Sequence, residues 1–384
     1  MPGCSVLMTP WLLVAGDFTP LGGMDAANHA LAAYLARERD VHLVTHRAWP
    51  DLHALPRVTV HGVPRPFGRH ALGAPLLARA GRHVRRRIGH GACSLVNGGN
   101  CPVAGAITWM HYVHAAYAPD PRPSPFGRTR SATTHRRDLA GERAALAAAP
   151  LVICNSRRTR DDVVHHHRLE PSHTRVIYYG CDPARLTAVT AGQRETSRFR
   201  LGWPIERPVV AFVGALGDRR KAFDTVFAAW MRLCADPGWD ADLVVIGSGA
   251  EQRSWERRAA GAGCAGRMRF LGFRPDVPDI LAAADALVHP ARYEAYGLSV
   301  REALCRGIPA FVTRSAGVAE EYPPALNDLL LESPDDDVEL TGRLQRWRRH
   351  RAALNEAVRP LSDALRRRTW DHMSADIVAA VEER

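Results

Sequence analysis

The chain is nearly without lysine. Of the 51 basic residues in its 384, only Lys221 is a lysine and fifty are arginines; against 40 acidic residues the formal net charge is +11. Alanine, glycine and proline are abundant, so arginine reads as the default cation of this composition, and the one lysine asks for a local reason. No apolar run approaches the roughly 18–20 residues with which a helix crosses a bilayer. There is no C-x-x-C: the eight cysteines, at positions 4, 93, 101, 154, 181, 234, 264 and 305, are scattered. Buried thiols in a reducing compartment suit that spacing better than a disulfide framework or a zinc site. No period of 20–50 residues repeats, which argues against a solenoid or propeller. The opening MPGCSVLMTPWLLVAG lacks the basic n-region of a signal peptide, so a cytoplasmic protein is expected. What is present, 46% apolar and 24% charged residues, is the balance of a globular chain, and the length suits two domains or at most three.

Short β-rich apolar runs alternate with alanine-rich stretches, the pattern of α/β folds built on parallel sheets. Strands are predicted near 5–15, 41–45, 58–63, 93–97, 106–110, 151–154 and 175–178, then near 209–213, 243–246, 268–271, 286–289 and 308–312. Helices are predicted over 24–37, 74–88, 131–148, 156–168, 221–235, 250–261, 298–306 and 335–348, with Ser156 as an N-cap. Residues 183–207 carry no clear period, and 186–207 reads as a linker between two doubly wound domains, 1–185 and 208–361. In such sheets ligands bind beyond the carboxyl ends of the strands, so the loops there are where chemistry is sought.

Gly22 and Gly23 follow the first strand and precede a helix; they admit a ligand to its N-terminus or simply make a turn. His111 and His114 lie just past the strand ending at Met110. An imidazole there can bond a sugar hydroxyl or carry a proton, a structural role being the alternative. His165, His166 and His167 are adjacent on a helix, cannot converge on one metal, and read as a solvated face. After strand 209–213, Arg219, Arg220 and Lys221 crowd a glycine-containing loop at a helix start. That corner suits a diphosphate, or is a turn with solvated cations. Gly247 and Gly249 make a second such loop.

In ALVHPARYEAYGLSVREALCRGIPAFV, Glu294 lies in the loop after a strand and Glu302 about one turn into helix 298–306. One carboxylate can face a ligand's reacting end and the other can take a ribose diol, with the helix N-terminus between them open to phosphate oxygens. The alternative is a solvated loop glutamate and a glutamate stabilising a first turn. Asp335, Asp336 and Asp337 stand at a predicted helix start and read as capping charge, so no metal ligands are assigned.

The stretch from Glu294 to Glu302, continued by Ala-Leu-Cys-Arg-Gly-Ile-Pro-Ala, resembles the E-x7-E signature of the retaining glycosyltransferases of group 1, also called glycosyltransferase family 4. The likeness takes in Gly22-Gly23, His111, Asn155-Ser156, the Lys221 loop, and VIYYGCD at 176–182, where the family usually has V-I-P-N-G-V-D. It implies a GT-B fold, two Rossmann-like domains with an interdomain cleft, the second holding a nucleotide-sugar, and a last helix, 362–384, crossing back to the first. By position it implies that Lys221 neutralises the donor diphosphate, Glu302 binds the ribose and Glu294 the donor sugar. The amides around Tyr296, Gly297 and Leu298 would meet phosphate, Phe273 and Arg274 would lie beside the base, and His111 would contact the sugar and acceptor side. Two positions depart from the family: Ala215 stands where Arg often follows Val-Gly, and Ala222 where Gly usually follows the Lys. Arg219 or Arg220 is expected to supply the missing charge. The implied reaction moves a sugar, with retention and without a metal, from a UDP- or GDP-sugar to a hydroxyl of a glycan, glycolipid or natural product. A phosphorylase or nucleotide-sugar epimerase of related fold, or an inactive arginine-rich binding protein, are the alternatives.

Between Leu52 and Pro119 lie eight arginines and no acidic residue. In 74–88, Leu76, Ala80, Val84 and Ile88 recur every four residues, with Arg79, Arg82, Arg85 and Arg86 largely on other faces. Such a helix can lie on an anionic membrane, peripheral at the inner face, and meet a lipid-linked acceptor, or pack on a sheet with a solvated cationic face. Net charge alone speaks for nucleic acid and no binding motif accompanies it, so none is expected as a partner.

Overall fold

The computed structural model describes residues 9–89, 91–103, 105–117 and 125–383. Cys4 and the first residues of the predicted strand 5–15 lie outside them. The chain divides into two compact units, 1–180 with 369–384, and 181–368.

The first unit runs β1 (Trp11–Val14), β2 (Asp17–Phe18), α1 (Met24–Leu35), β3 (Val41–Thr45), β4 (Arg47–Ala48), α2 (Pro50–His53), β5 (Val58–Gly62), α3 (His70–Ile88), β6 (Cys93–Asn97), β7 (Ile107–Met110), α4 (Pro125–Ala148), β8 (Val152–Cys154), α5 (Arg157–His167) and β9 (Thr174–Val176). Its sheet is ordered β5-β3-β1-β6-β7-β8-β9, every neighbouring pair parallel. Buried on both faces, strands such as WLLV and ITWM are apolar throughout rather than alternating. Ser156 caps α5 as expected, its side chain accepting from the Thr159 amide at 2.9 Å.

Two readings of this unit change. In α3 the buried spine is Gly73, Leu77, Gly81 and Val84, while Leu76 and Leu72 face solvent. Of the expected stripe, Val84 is buried and Ala80 and Ile88 pack against the same core, while Leu76 leaves it and Leu77 takes its place; the helix packs its apolar side on the sheet through Leu77 and Val84. His167 is not on a solvated face: its Nε2 lies 2.7 Å from Oε1 of the buried Glu142 on α4, because the end of α5 turns that ring inward.

The second unit runs α6 (Ala191–Leu201), β10 (Val209–Val213), α7 (Phe223–Cys234), β11 (Asp242–Ile246), α8 (Gln252–Gly261), β12 (Met268–Gly272), α9 (Val277–Ala282), β13 (Ala286–His289), α10 (Leu298–Cys305), β14 (Ala310–Thr313), β15 (Leu330–Leu331), α11 (Asp337–Arg349) and α12 (Arg351–Arg367). The all-parallel sheet is ordered β12-β11-β10-β13-β14-β15. On α7, Phe223, Val226, Phe227, Trp230 and Leu233 recur at helical spacing and are buried; each is worth roughly 1.5–3 kcal/mol of transfer free energy. The stretch read as a linker, 186–207, instead contains α6. A capping box starts that helix: Thr190 accepts from the Gln193 amide and the Gln193 side chain accepts from the Thr190 amide. The predicted helix 362–384 is likewise two, α12 and a final helix Trp370–Glu382 capped by Thr369. That last helix packs with α1 in the first unit, where Arg37 reaches both Asp371 oxygens at 2.7 and 3.0 Å.

β10 has β11 on one side and β13 on the other, so the strand order reverses there and the loops leaving β10 and β13 part around a crevice. Those are the loops of Lys221 and Glu294.

Candidate functional site

Lys221 does not open a helix. Arg219–Lys221 form a 3-10 turn, Ala222 takes the left-handed conformation at φ +51°, and α7 begins at Phe223. An alanine held there costs on the order of 1 kcal/mol, a strain the family's usual glycine avoids. The turn brings Lys221 Nζ to 2.5 Å from Glu294 Oε2. His289, the last residue of β13 and fully buried, puts its Nε2 at 2.8 Å from the same oxygen. Burial opposes the charged carboxylate, but the Lys221 ammonium, the His289 hydrogen bond and the Arg220 charge hold Glu294 well below the usual carboxylate range. An ionised carboxylate only accepts, so His289 Nε2 carries the hydrogen. Burial, then the Lys221 charge, lower the pKa of His289, which leaves the ring neutral.

The two candidate arginines differ. Arg220 donates to Asp218 at 3.0 and 3.2 Å, and its charge is felt at Glu294 and His289. Arg219 is 58% exposed and faces Asp224 at 3.8 Å. Ala215 is exposed. Gly247 and Gly249 have a backbone reason to be glycine. Their loop is laced to 214–216, with Gly214 donating to Ile246 O at 3.0 Å and Leu216 to Ser248 O at 3.1 Å. A Cβ would stand 2.0 Å from Gly214 O at position 247, where φ is +136°, and 1.7 Å from Leu216 O at position 249.

Gly297, at φ +114°, starts α10. Tyr296 turns its ring into the core, donating to Glu321 Oε2 at 2.6 Å and accepting from Arg301 at 2.8 Å. The Tyr296 hydroxyl is thus engaged within the unit rather than turned to the start of α10. Glu302, one turn along, has no hydrogen bond or ion pair to its carboxylate among the described residues. Burial pushes its pKa up to about 7, against weaker pulls from Arg185 and Arg306. Phe273, 77% exposed, and Arg274, which pairs with Asp276 at 2.5 and 2.7 Å, follow the carboxyl end of β12.

In the first unit His111 follows β7. Its Nδ1 is hydrogen-bonded to the Tyr179 hydroxyl, and Asn155 donates to that hydroxyl at 3.1 Å and to His111 O at 3.3 Å. Nε2 is buried with no partner among the described residues, and burial pushes the ring's pKa down to about 3. His114 begins a 3-10 turn whose amide donates to Glu142 at 2.7 Å. Gly22 and Gly23 form the turn into α1. Beside that turn is a cluster the sequence reading passed over: Asp17 pairs with Arg65 and, at 3.2 Å, with Arg47. Burial, then Asp17, raise Asp25 to about 6. Asp336 caps α11, accepting from the Glu339 amide at 2.8 Å, while Asp335 and Asp337 pair with Arg292 and Arg232. Among the described residues no group of three or more His, Cys, Asp and Glu could hold a metal ion, and no helix is long and apolar enough to cross a membrane.

Comparison with known proteins gives the family and the fold. The model of the family described as glycosyl transferases group 1 matches residues 193–359, and that of glycosyltransferase family 4 matches residues 21–185. The D-inositol 3-phosphate glycosyltransferase of Geodermatophilus obscurus is 28% identical over 370 residues, spanning 87% of this chain and 78% of that one. Among solved structures, WaaG, a glycosyltransferase involved in lipopolysaccharide biosynthesis, superposes with a TM-score of 0.76 at 21% identity over 96% of this chain and 99% of that one. The Anabaena HepE protein in complex with UDP and glucose gives a TM-score of 0.72 at 20% identity over 98% and 100%. Two Rossmann-like units of the GT-B fold, each matched by one of the two family models, place the chain in the group 1 glycosyltransferases, glycosyltransferase family 4.

Proposed function

We propose that this glycosyltransferase moves a hexosyl group, with retention and without a metal, from a nucleoside-diphosphate sugar to an acceptor hydroxyl. The observation that carries the reading is the corner at the β10–β13 switch point, where Lys221 and Arg220 stand beside Glu294 and the start of α10. Catalysis by such a corner is electrostatic: cations and helix amides stabilise the diphosphate as it leaves, and the departing phosphate takes the acceptor proton. Lys221 has three N–H donors, so it can hold Glu294 and a phosphate oxygen together. Arg220 takes the place of the arginine absent at Ala215, since its charge reaches Glu294 and that of Arg219 is turned to Asp224. Glu302, whose carboxylate has no partner among the described residues, accepts from the ribose diol, and Glu294 from the donor sugar. Phe273 and Arg274 lie beside the base, while Gly247 and Gly249 let two loops close on the phosphates. His111, neutral at working pH, contacts the sugar and acceptor side, where Gly22 and Gly23 also lie. The HepE complex with UDP and glucose supports a UDP-sugar ahead of a GDP-sugar. Residues 181–368 hold the donor, and 1–180 with 369–384 the acceptor, a sugar, a cyclitol phosphate, a lipid-linked glycan or another small molecule.

A panel of UDP-, GDP- and ADP-sugars, scored for binding and slow hydrolysis with and without EDTA, tests this. Binding of one donor, with activity unchanged by EDTA, is expected; no binding to any member overturns it. The anomeric configuration of the product, read by NMR, tests retention. A peripheral membrane role rests on the outer face of α3, where exposed Leu72 and Leu76 adjoin Arg79, Arg82, Arg86 and Arg87. Failure to pellet with anionic vesicles at low salt removes it.

A further inference from the structure

Glu294 Oε2 receives two donors, the Lys221 ammonium at 2.5 Å and His289 Nε2 at 2.8 Å, while no partner to Oε1 is found among the described residues. The two donors are not equivalent. Lys221 is a flexible chain with a mobile charge, and a diphosphate anion competes for it. His289 is fixed: it ends a strand, its side chain is completely buried, and its ring is neutral with the hydrogen on Nε2. We propose that His289 is a positioning residue for the donor sugar: it holds Glu294 Oε2 whatever Lys221 engages, and so keeps Oε1 aimed at a sugar hydroxyl. The proposal rests on the reading of Glu294 as the sugar-binding carboxylate. It also gives the polar ring at the end of the ALVH strand a purpose, since a core histidine in an apolar strand otherwise costs desolvation.

The test separates sugar recognition from nucleotide recognition. Binding of UDP-glucose and of UDP is measured by calorimetry for the wild type and for the variants His289→Leu, His289→Gln and Glu294→Gln, with GDP-mannose and GDP as a second pair. His289→Leu keeps bulk but removes the donor. It is expected to lose the advantage of the sugar nucleotide over the bare nucleotide by about tenfold, the scale of one charge-assisted hydrogen bond, with binding of the bare nucleotide unchanged. His289→Gln keeps an N–H and is expected to restore most of that advantage. A merely structural role would weaken both ligands together and would not be rescued by glutamine. If His289→Leu leaves the preference intact, or lowers both ligands equally, the proposal is overturned. Glu294→Gln is the control: wild-type preference in that variant overturns the sugar-site reading itself, whereas its loss there beside an unchanged His289→Leu overturns only the role of His289.

Discussion

Glu302 offers the most direct check on the site, because its environment makes opposite demands on stability and on binding. Its carboxyl ionises at about 7 in the folded protein against an ordinary 4.5, chiefly through burial. The difference corresponds to about 3 kcal/mol, brought toward about 2 kcal/mol because the side chain keeps some contact with solvent. The sign follows from proton counting. Between pH 4.5 and 7 the folded state holds a proton that the unfolded state has released, so stability falls as pH rises through this window and the deficit is constant above it. Glu302→Gln removes the titration. The variant is expected to match the wild type at pH 4 and to melt about 5 °C higher at pH 8, the shift that 2 kcal/mol gives in a unit of this size. Nucleotide binding is expected to move the other way: UDP affinity should fall about tenfold or more, since a neutral amide accepts less well from a ribose diol. Wild-type affinity should rise between pH 6 and 8, while that of the variant stays flat. Thermal melts from pH 4 to 9 and calorimetric titration of UDP read both effects. A stability gain equal at pH 4 and pH 8, or none at pH 8, refutes the account of the buried carboxylate; unchanged UDP binding refutes its role with the ribose.

Further substitutions probe the same unit. Lys221→Ala leaves Glu294 with one donor and is expected to cost about 3 kcal/mol of stability as well as turnover. Adding Glu294→Gln should recover the stability but not the turnover, which denaturant titration and a donor-hydrolysis assay separate. Lys221→Arg keeps the charge and is expected to lose most turnover while remaining folded by circular dichroism; wild-type turnover would show that charge alone matters at this position. Gly249→Ala puts a Cβ at 1.7 Å from Leu216 O, a backbone atom that cannot swing aside, and is expected to destabilise by about 3 kcal/mol or more. A melting temperature within 1 °C, on the order of experimental scatter for such a unit, would mean the two loops part easily.

The two-domain α/β plan and most strands were legible because parallel strands buried on both faces announce themselves as apolar runs between turns. The Glu294–Glu302 spacing was legible because both residues lie within one loop and one helix turn. What escaped were contacts between distant segments. Lys221 and Glu294 are 73 residues apart, and only the reversal of strand order at β10 brings them together. His289 sat inside the strand ALVH, where a lone polar residue gives no periodic signal. The pairing of His167 with Glu142 depends on which way the end of α5 faces, which three consecutive histidines do not disclose. The missed helix α6 is a different failure: it is short and polar, so its apolar period is faint, yet Thr190-x-x-Gln193 was a readable capping box.

The scarcity of lysine acquires a physical reason at this corner. A guanidinium matches a carboxylate with a planar fork and tends to claim both oxygens at once, as Arg292 does with Asp224 at 2.8 and 2.9 Å. At Glu294 such a fork would take Oε1 as well as Oε2, and would contend with His289 for the latter. An ammonium is compact, needs one oxygen, and keeps two N–H groups for another anion. On the proposed role of the corner, a chain that uses arginine at fifty of its 51 basic positions keeps lysine where a cation must share one oxygen with a buried histidine, leave the second oxygen to a sugar and still meet a phosphate.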